Sequence, residues 1–133
     1  MTNPARRTRN AGFTLIELMI VVVIIGILAA IAIPKFTAVS RASKEAEAPG
    51  MLKQIYTLQL RYYQKNDTYA PDLNSLEGGS ALNADSKYYT FSIVSASPTF
   101  CAGAAPSAAG TAAGVSPQSI DAAGKVRRTG DCS

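Results

Sequence analysis

Few side chains in this sequence could do chemistry, and one of them sits where a charge is costly. Glu17 is the one carboxylate in GFTLIELMIVVVIIGILAAIAIPKF, Gly12 to Phe36, and the next charge after it is Lys35. A carboxylate can be an acid, a base, a metal ligand or half of an ion pair. In an apolar helix it costs about 2.5–3.5 kcal/mol on insertion scales unless something answers it. The other reactive candidates are Cys101 and Cys132. There is no His, so the commonest general base, metal ligand and pH switch is missing. That disfavours a hydrolase or a zinc enzyme, and no cofactor is expected. Asp67, Asp72, Glu77 and Asp85 follow no calcium-loop spacing, and turn chemistry accounts for them. Asn66-Asp67-Thr68 is a glycosylation sequon in form only.

The element that must hold Glu17 is an apolar helix. From Leu18 to Ile33 every residue is Leu, Met, Ile, Val, Ala or Gly. With Phe13 to Ile16 in front, the run reaches about 20 residues and about 30 Å, the thickness of a bilayer core. Gly26 and Pro34 are its weak positions, and a kink or local melting is expected between them. Beyond Pro34 the helical signal persists, with Arg41 and Glu45 spaced as a surface i, i+4 pair. Pro49-Gly50 should kink it again. Leu52, Ile55, Leu58 and Tyr62 then form one apolar stripe, with Lys53, Arg61 and Lys65 off it. These features predict one long, twice-bent helix over residues 14–65, with an apolar part, 13–36, that protrudes and an amphipathic part, 37–65, that packs.

Residues 66–86 read as a loop tacked down by Leu73 and Leu76. Tyr88 to Ser95 alternates as a strand with Tyr89, Phe91 and Ile93 on one side. Thr99 to Ala104 is a shorter strand, AAPSAAGTAAGVSPQ a small-residue surface loop, and QSIDAAGKVRRTG a last hairpin turning at Asp121 to Gly124. The expected fold class is α+β: the long N-terminal helix, kinked near Pro34 and Pro49, packed by its C-terminal half on a small antiparallel sheet. The tyrosines on the helix read as core packing.

Charge belongs mainly to the N-terminus. Arg6, Arg7 and Arg9 are three of the 13 basic residues, and without residues 1–12 ten basic side chains face 9 acidic ones. Net charge therefore gives little support to nucleic-acid binding. Lys125, Arg127 and Arg128 make a small basic cluster, read as a solvated hairpin edge with a weak DNA or anionic-surface contact as the alternative. Cys101 and Cys132 read either as one disulfide in an exported chain, worth about 2–4 kcal/mol, or as two free thiols in a cytosolic one.

MTNPARRTRNA, then Gly12, then Phe13-Thr14-Leu15-Ile16-Glu17 and the apolar run resemble the class III signal of type IV prepilins and the related pseudopilins. The match is tight over about residues 6–36 and loose over the rest. The resemblance implies that a prepilin peptidase/methyltransferase removes residues 1–12 by cutting between Gly12 and Phe13, and then methylates the Phe13 amine. It implies an inner-membrane precursor handed to an assembly platform, and a homopolymer forming an extracellular pilus filament for adhesion, twitching motility or DNA uptake. Glu17 would attract the Phe13 amine of a neighbouring subunit, in contrast to an acid that merely snorkels to the membrane edge. Gly26 to Pro34 would lose helicity in the filament. Cys101 and Cys132 would form the disulfide bracketing an exposed C-terminal loop within a head spanning 66–133. Alternatives of the same superfamily are a type II secretion pseudopilin and a minor pilin. A different class, a secreted binding domain with an ordinary signal peptide, would be cut near Ala30-Ile31-Ala32.

Overall fold

The structure, a computed structural model, describes residues 12–132; most of the expected leader, 1–11, and Ser133 lie outside the described residues. The chain divides into two compact units that part between Thr37 and Ala38.

Helix α1 (Leu15–Glu45) begins one residue after Thr14 and runs without interruption through Gly26 and Pro34. The expected melting there is not seen. A proline removes one donor from a ladder that has a bond at every other residue, and the Thr37 hydroxyl donates to the Pro34 carbonyl at 2.9 Å. In the N-terminal unit the large apolar side chains from Phe13 to Phe36 are all exposed. The helix is long and apolar enough to cross a membrane.

The helix is interrupted close to its second proline, as expected. The helix breaks at Ala46, which still donates its N–H to the Ala42 carbonyl at 3.1 Å, and helix α2 (Glu47–Asn66) takes Pro49 into its first turn. There a proline costs little, because the first-turn N–H groups have no helical partner in any case. The carbonyl that Pro49 cannot serve is that of Glu45. The Gln118 side-chain amide serves it instead, donating Nε2 to the Glu45 carbonyl at 2.9 Å.

The head sheet is a four-stranded antiparallel meander of β1 (Tyr89–Ser95), β2 (Cys101–Pro106), β3 (Gln118–Asp121) and β4 (Val126–Arg127), in that spatial order. Phe91 pairs with Ala104, and Ala102 with Ile120. β2 begins two residues later than expected. Leu52 and Ile55 of α2 pack against Tyr89, Phe91, Phe100, Ala102, Ala104 and Ile120. Burying each large apolar side chain is worth about 1.5–3 kcal/mol.

Two expected loops contain helices. Residues 66–86 fold as a 3-10 turn (Leu73–Ser75) and α3 (Ala81–Asp85), with Leu73, Leu76 and Leu82 buried. The small-residue stretch holds α4 (Ala108–Ala113). Its cap is Ser107, whose hydroxyl oxygen accepts from the Gly110 N–H at 3.2 Å. Gly114, at φ 69°, ends it in the left-handed region that suits glycine. A Cβ on Gly110 would lie 2.0 Å from the Tyr88 carbonyl oxygen, so α4 packs backbone to backbone.

Candidate functional site

The helix N-terminus is built by Thr14 and Glu17. Thr14 donates its backbone N–H and its hydroxyl to Glu17 Oε2, each at 2.9 Å, while Glu17 N–H donates to Thr14 Oγ1 at 3.3 Å. This reciprocal arrangement is a capping box, S/T-x-x-E at the first turn. The carboxylate also sits at the end of the helix where the macrodipole is positive. Glu17 is thus answered locally, by a residue that sequence reading passed over although the T-x-x-E spacing announces it. Gly12 and Phe13 precede the helix as exposed, non-helical residues, with Phe13 92% exposed. Gly26 has nothing within 4 Å of where a Cβ would stand. The structure thus gathers Gly12, Phe13 and Glu17 about one helix end, whereas Gly26 and Pro34 lie farther along the same apolar helix.

In the head, Cys101 and Cys132 form a disulfide with Cα atoms 5.8 Å apart. The bracketed stretch is no mere surface loop. It supplies β3, β4 and α4, and Ala102, Ala104, Val115, Gln118, Ser119 and Ile120 are buried. Ser119 donates its hydroxyl to the Asp131 carbonyl, which holds the C-terminal segment against β3.

Glu45 is not half of a surface pair. It is 8% exposed, and its Oε1 accepts the Ser116 N–H at 3.0 Å. That bond holds its carboxyl below the ordinary glutamate range, helped by the charges of Arg128, 3.9 Å away, and Arg41. Three amides do comparable work. Gln59 donates to and accepts from the Ala70 backbone, both bonds at 2.9 Å, like a neighbouring strand. Asn83 does the same for Phe91 on the outer edge of β1, and Gln118 serves Glu45.

The basic cluster of the last hairpin is divided. Arg127 pairs with Asp121 across the turn at 3.3 Å, and Arg128 turns to Glu45. Asp72 caps the 3-10 turn through Ser75, and Glu77 meets Arg61 and Lys65. Among the described residues no three His, Cys, Asp or Glu side chains are grouped as metal ligands. Tyr63, Tyr69, Phe100 and Tyr56 stack in sequence, with ring centroids 4.7 to 6.0 Å apart.

A family model described as the prokaryotic N-terminal methylation motif matches residues 7–33. One described as type IV minor pilin ComP, DNA uptake sequence receptor, matches residues 34–116. The chain belongs to the type IV pilins. This pilin is 40% identical over 90 residues to the type IV wide pilus major component PilA4 of Thermus thermophilus, covering 67% of its own length and 68% of that protein. It is 54% identical over 68 residues to the type IV major pilin protein PilA of Myxococcus xanthus, 51% of this chain and 31% of that one. It is 39% identical over 72 residues to the type II secretion system core protein G of Pseudomonas aeruginosa, 54% of this chain and 51% of that one. The pilin therefore spans less than two thirds of the Myxococcus and Pseudomonas relatives. The α+β fold, the apolar N-terminal helix and the Cys101–Cys132 disulfide agree with the expectation drawn from the sequence.

Proposed function

We propose that this pilin is the repeating structural subunit of an extracellular type IV pilus, without catalytic activity of its own. Residues 1–12 act as a leader, cut between Gly12 and Phe13, and a prepilin peptidase/methyltransferase methylates the new Phe13 amine. Residues 13–36 hold the precursor in the inner membrane and then pack against copies of themselves. Residues 37–65 form the half that carries the head, 66–133.

The observation that carries this reading is an apolar helix exposed on every side, with one carboxylate at its start. Thr14 makes both its bonds to Oε2 of Glu17, which leaves Oε1 for a cation. Cleavage creates one in the Phe13 amine, and a neighbouring subunit's amine entering the fibre would meet Oε1 in a low-dielectric setting where an opposite charge is strongly favoured. Glu17 registers docking helices in this reading. Gly26 to Pro34 is assigned to local opening in the fibre, so fibres of Pro34→Ala should show more helix by circular dichroism.

Glu17→Ala tests the central claim. Mass spectrometry of the mature chain should still find methylated Phe13, while the yield of sheared fibres collapses. Normal fibres in that variant would make the pairing dispensable, and a mature terminus near Ile33 would replace the pilus reading with an ordinary secreted domain. The likeness to the secretion core protein favours a second reading, a pseudopilin at the inner membrane. Electron microscopy separates the two, since a pseudopilin leaves no long surface fibres. Adhesion, twitching motility and DNA uptake are the services such a fibre performs, and the description of the family model over 34–116 favours the last.

A further inference from the structure

Many of the head's charges are answered within it. Arg61 and Lys65 meet Glu77, Arg127 meets Asp121, and Lys53 donates to the Gly124 carbonyl. Asp67 differs, because nothing local favours it. It follows the last residue of α2 at φ 54°, in the left-handed region where a Cβ is costly and glycine or asparagine is the usual choice. It also sets a negative charge at the helix end where the macrodipole is already negative. Its carboxylate is exposed and has no partner among the described residues. A residue held against its local preference points to work done elsewhere.

The complement lies at the other end of α2. Lys44 near the end of α1 and Lys87 just before β1 each hold an ammonium 5.5 Å from the centroid of the Tyr88 ring. The Lys87 N–H donates at 3.1 Å to Glu47, the first residue of α2. Arg41 lies one turn from Lys44, and Arg128, with a side chain 82% exposed, borders the same place through Glu45. Two carboxylates there are turned inward: Glu45 holds the Ser116 N–H, and Glu47 accepts from the Ser86 hydroxyl. Asp85, exposed and two residues before Lys87, leaves this face net positive. The end that carries Asp67 is net negative. Arg61 and Lys65 stand there against Glu77, Asp67 and Asp72, whose capping partner Ser75 lines one cleft with Asn66. Helix α2 has 20 residues, so the two ends lie about 30 Å apart.

We propose that Asp67 of one copy of this chain docks on the Lys44, Lys87 and Tyr88 face of a second copy, head to tail. The contact rests on the filament reading and adds to it a polar seam between heads, separate from the apolar helix. Its two halves differ and occupy opposite ends of α2, so the contact is heterologous. A heterologous contact that does not close on itself propagates as a helical filament. A two-fold pair would instead set like faces together, positive against positive. One exposed ion pair is weak in water, but a fibre repeats it at every subunit.

The test reverses these charges in the full chain and reads the yield of sheared fibres. Fibres from the parent are the control, and their absence would overturn the filament reading and this contact with it. Where the parent makes fibres, K44E/K87E and Asp67→Lys should each lose them, and the two combined should regain them. Methylated Phe13 and unchanged melting should accompany each loss. Asp67→Asn gives a finer signature. It should melt no earlier than the parent, since asparagine suits the left-handed turn and removes the adverse charge, yet its fibres should come apart at lower salt. Normal fibres in K44E/K87E, or fibres of Asp67→Asn as salt-resistant as the parent's, overturn the proposal. So does a loss in K44E/K87E that Asp67→Lys fails to restore, which would assign the face to a different partner. Restoration by Asp85→Lys in place of Asp67→Lys would mean that like faces meet, and overturns it too.

Discussion

In the unit that ends at Thr37, the hydrogen bonds made by side chains span three residues, as between Thr14 and Glu17 or Thr37 and Pro34. In the head, the buried ones span 11 to 73 residues. The apolar side chains differ in the same way. Those of the first unit are exposed, whereas in the head Leu52, Ile55, Tyr89, Phe91 and Ile120 close on one another. A helix that satisfies its hydrogen bonds locally needs no distant partner to hold its form. A head that depends on distant partners must be complete before it is stable.

Substitutions can break that contrast or sharpen it. The largest expected effect comes from the covalent tie. Cys101→Ser with Cys132→Ser should cost about 2–4 kcal/mol, read as earlier thermal unfolding of the sheet by circular dichroism. An unchanged transition would mean that the bracketed strands hold without it. Gln59→Leu comes next, because it strands a buried N–H and a buried carbonyl at Ala70. A loss of about 2–3 kcal/mol is expected in denaturant titration, and a neutral result would remove the long-range amides from the account.

The Glu45 carboxylate should make a smaller, pH-dependent contribution. Its value in the fold lies below the ordinary 4.5, mainly because the Ser116 N–H binds the charged form. The folded state therefore holds its proton less tightly than the unfolded chain, and the stability gained is fully present above about pH 4.5. It declines as pH falls through the depressed value. Glu77 and Asp121 are depressed as well and add to the acid loss. Melting curves from pH 7 to 3 should thus decline less steeply for Glu45→Gln than for the parent, and equal slopes would remove Glu45 from the acid response. The smallest effect on the head is expected from Thr14→Val. It should cost the first turn of α1 about 1 kcal/mol, seen as faster amide exchange at Ile16 and Glu17, and leave the head's melting unmoved.

What could be read from the sequence follows the same division. The apolar helix, the stripe at Leu52 and Ile55, and the Asp121 to Gly124 turn are patterns of near neighbours, and the structure has them. The burial of Glu45, Gln59 and Gln118 is not a pattern of neighbours. Each is a polar residue on a helix or strand, and only folding reveals the backbone group opposite it. The break at Ala46 falls near the proline that marks it, but what answers the freed carbonyl is again distant. A proline reads as a helix breaker, yet in the first turn it is tolerated, and a distant glutamine takes up the carbonyl it frees. The α4 helix was hidden by composition, although Ser107 and Gly114 stand at cap positions. The disulfide rested on the chain reading as exported, with the family resemblance added, since two cysteines 31 residues apart have no distinguishing spacing.

The packing of α4 separates what this surface can vary from what it must keep. Ala108, Ala109, Thr111 and Ala112 face solvent, but Gly110 rests on the Tyr88 carbonyl, and Gly114 holds a left-handed turn. Lineages could therefore repaint this patch, exchanging charge, bulk or attached sugar, with little cost to the subunit. The two glycines would persist as fixed spacers, so that a tract resembling featureless filler carries a reading frame for diversification. An epitope grafted at 108, 109, 111 and 112 should be displayed in the same pose whatever its sequence.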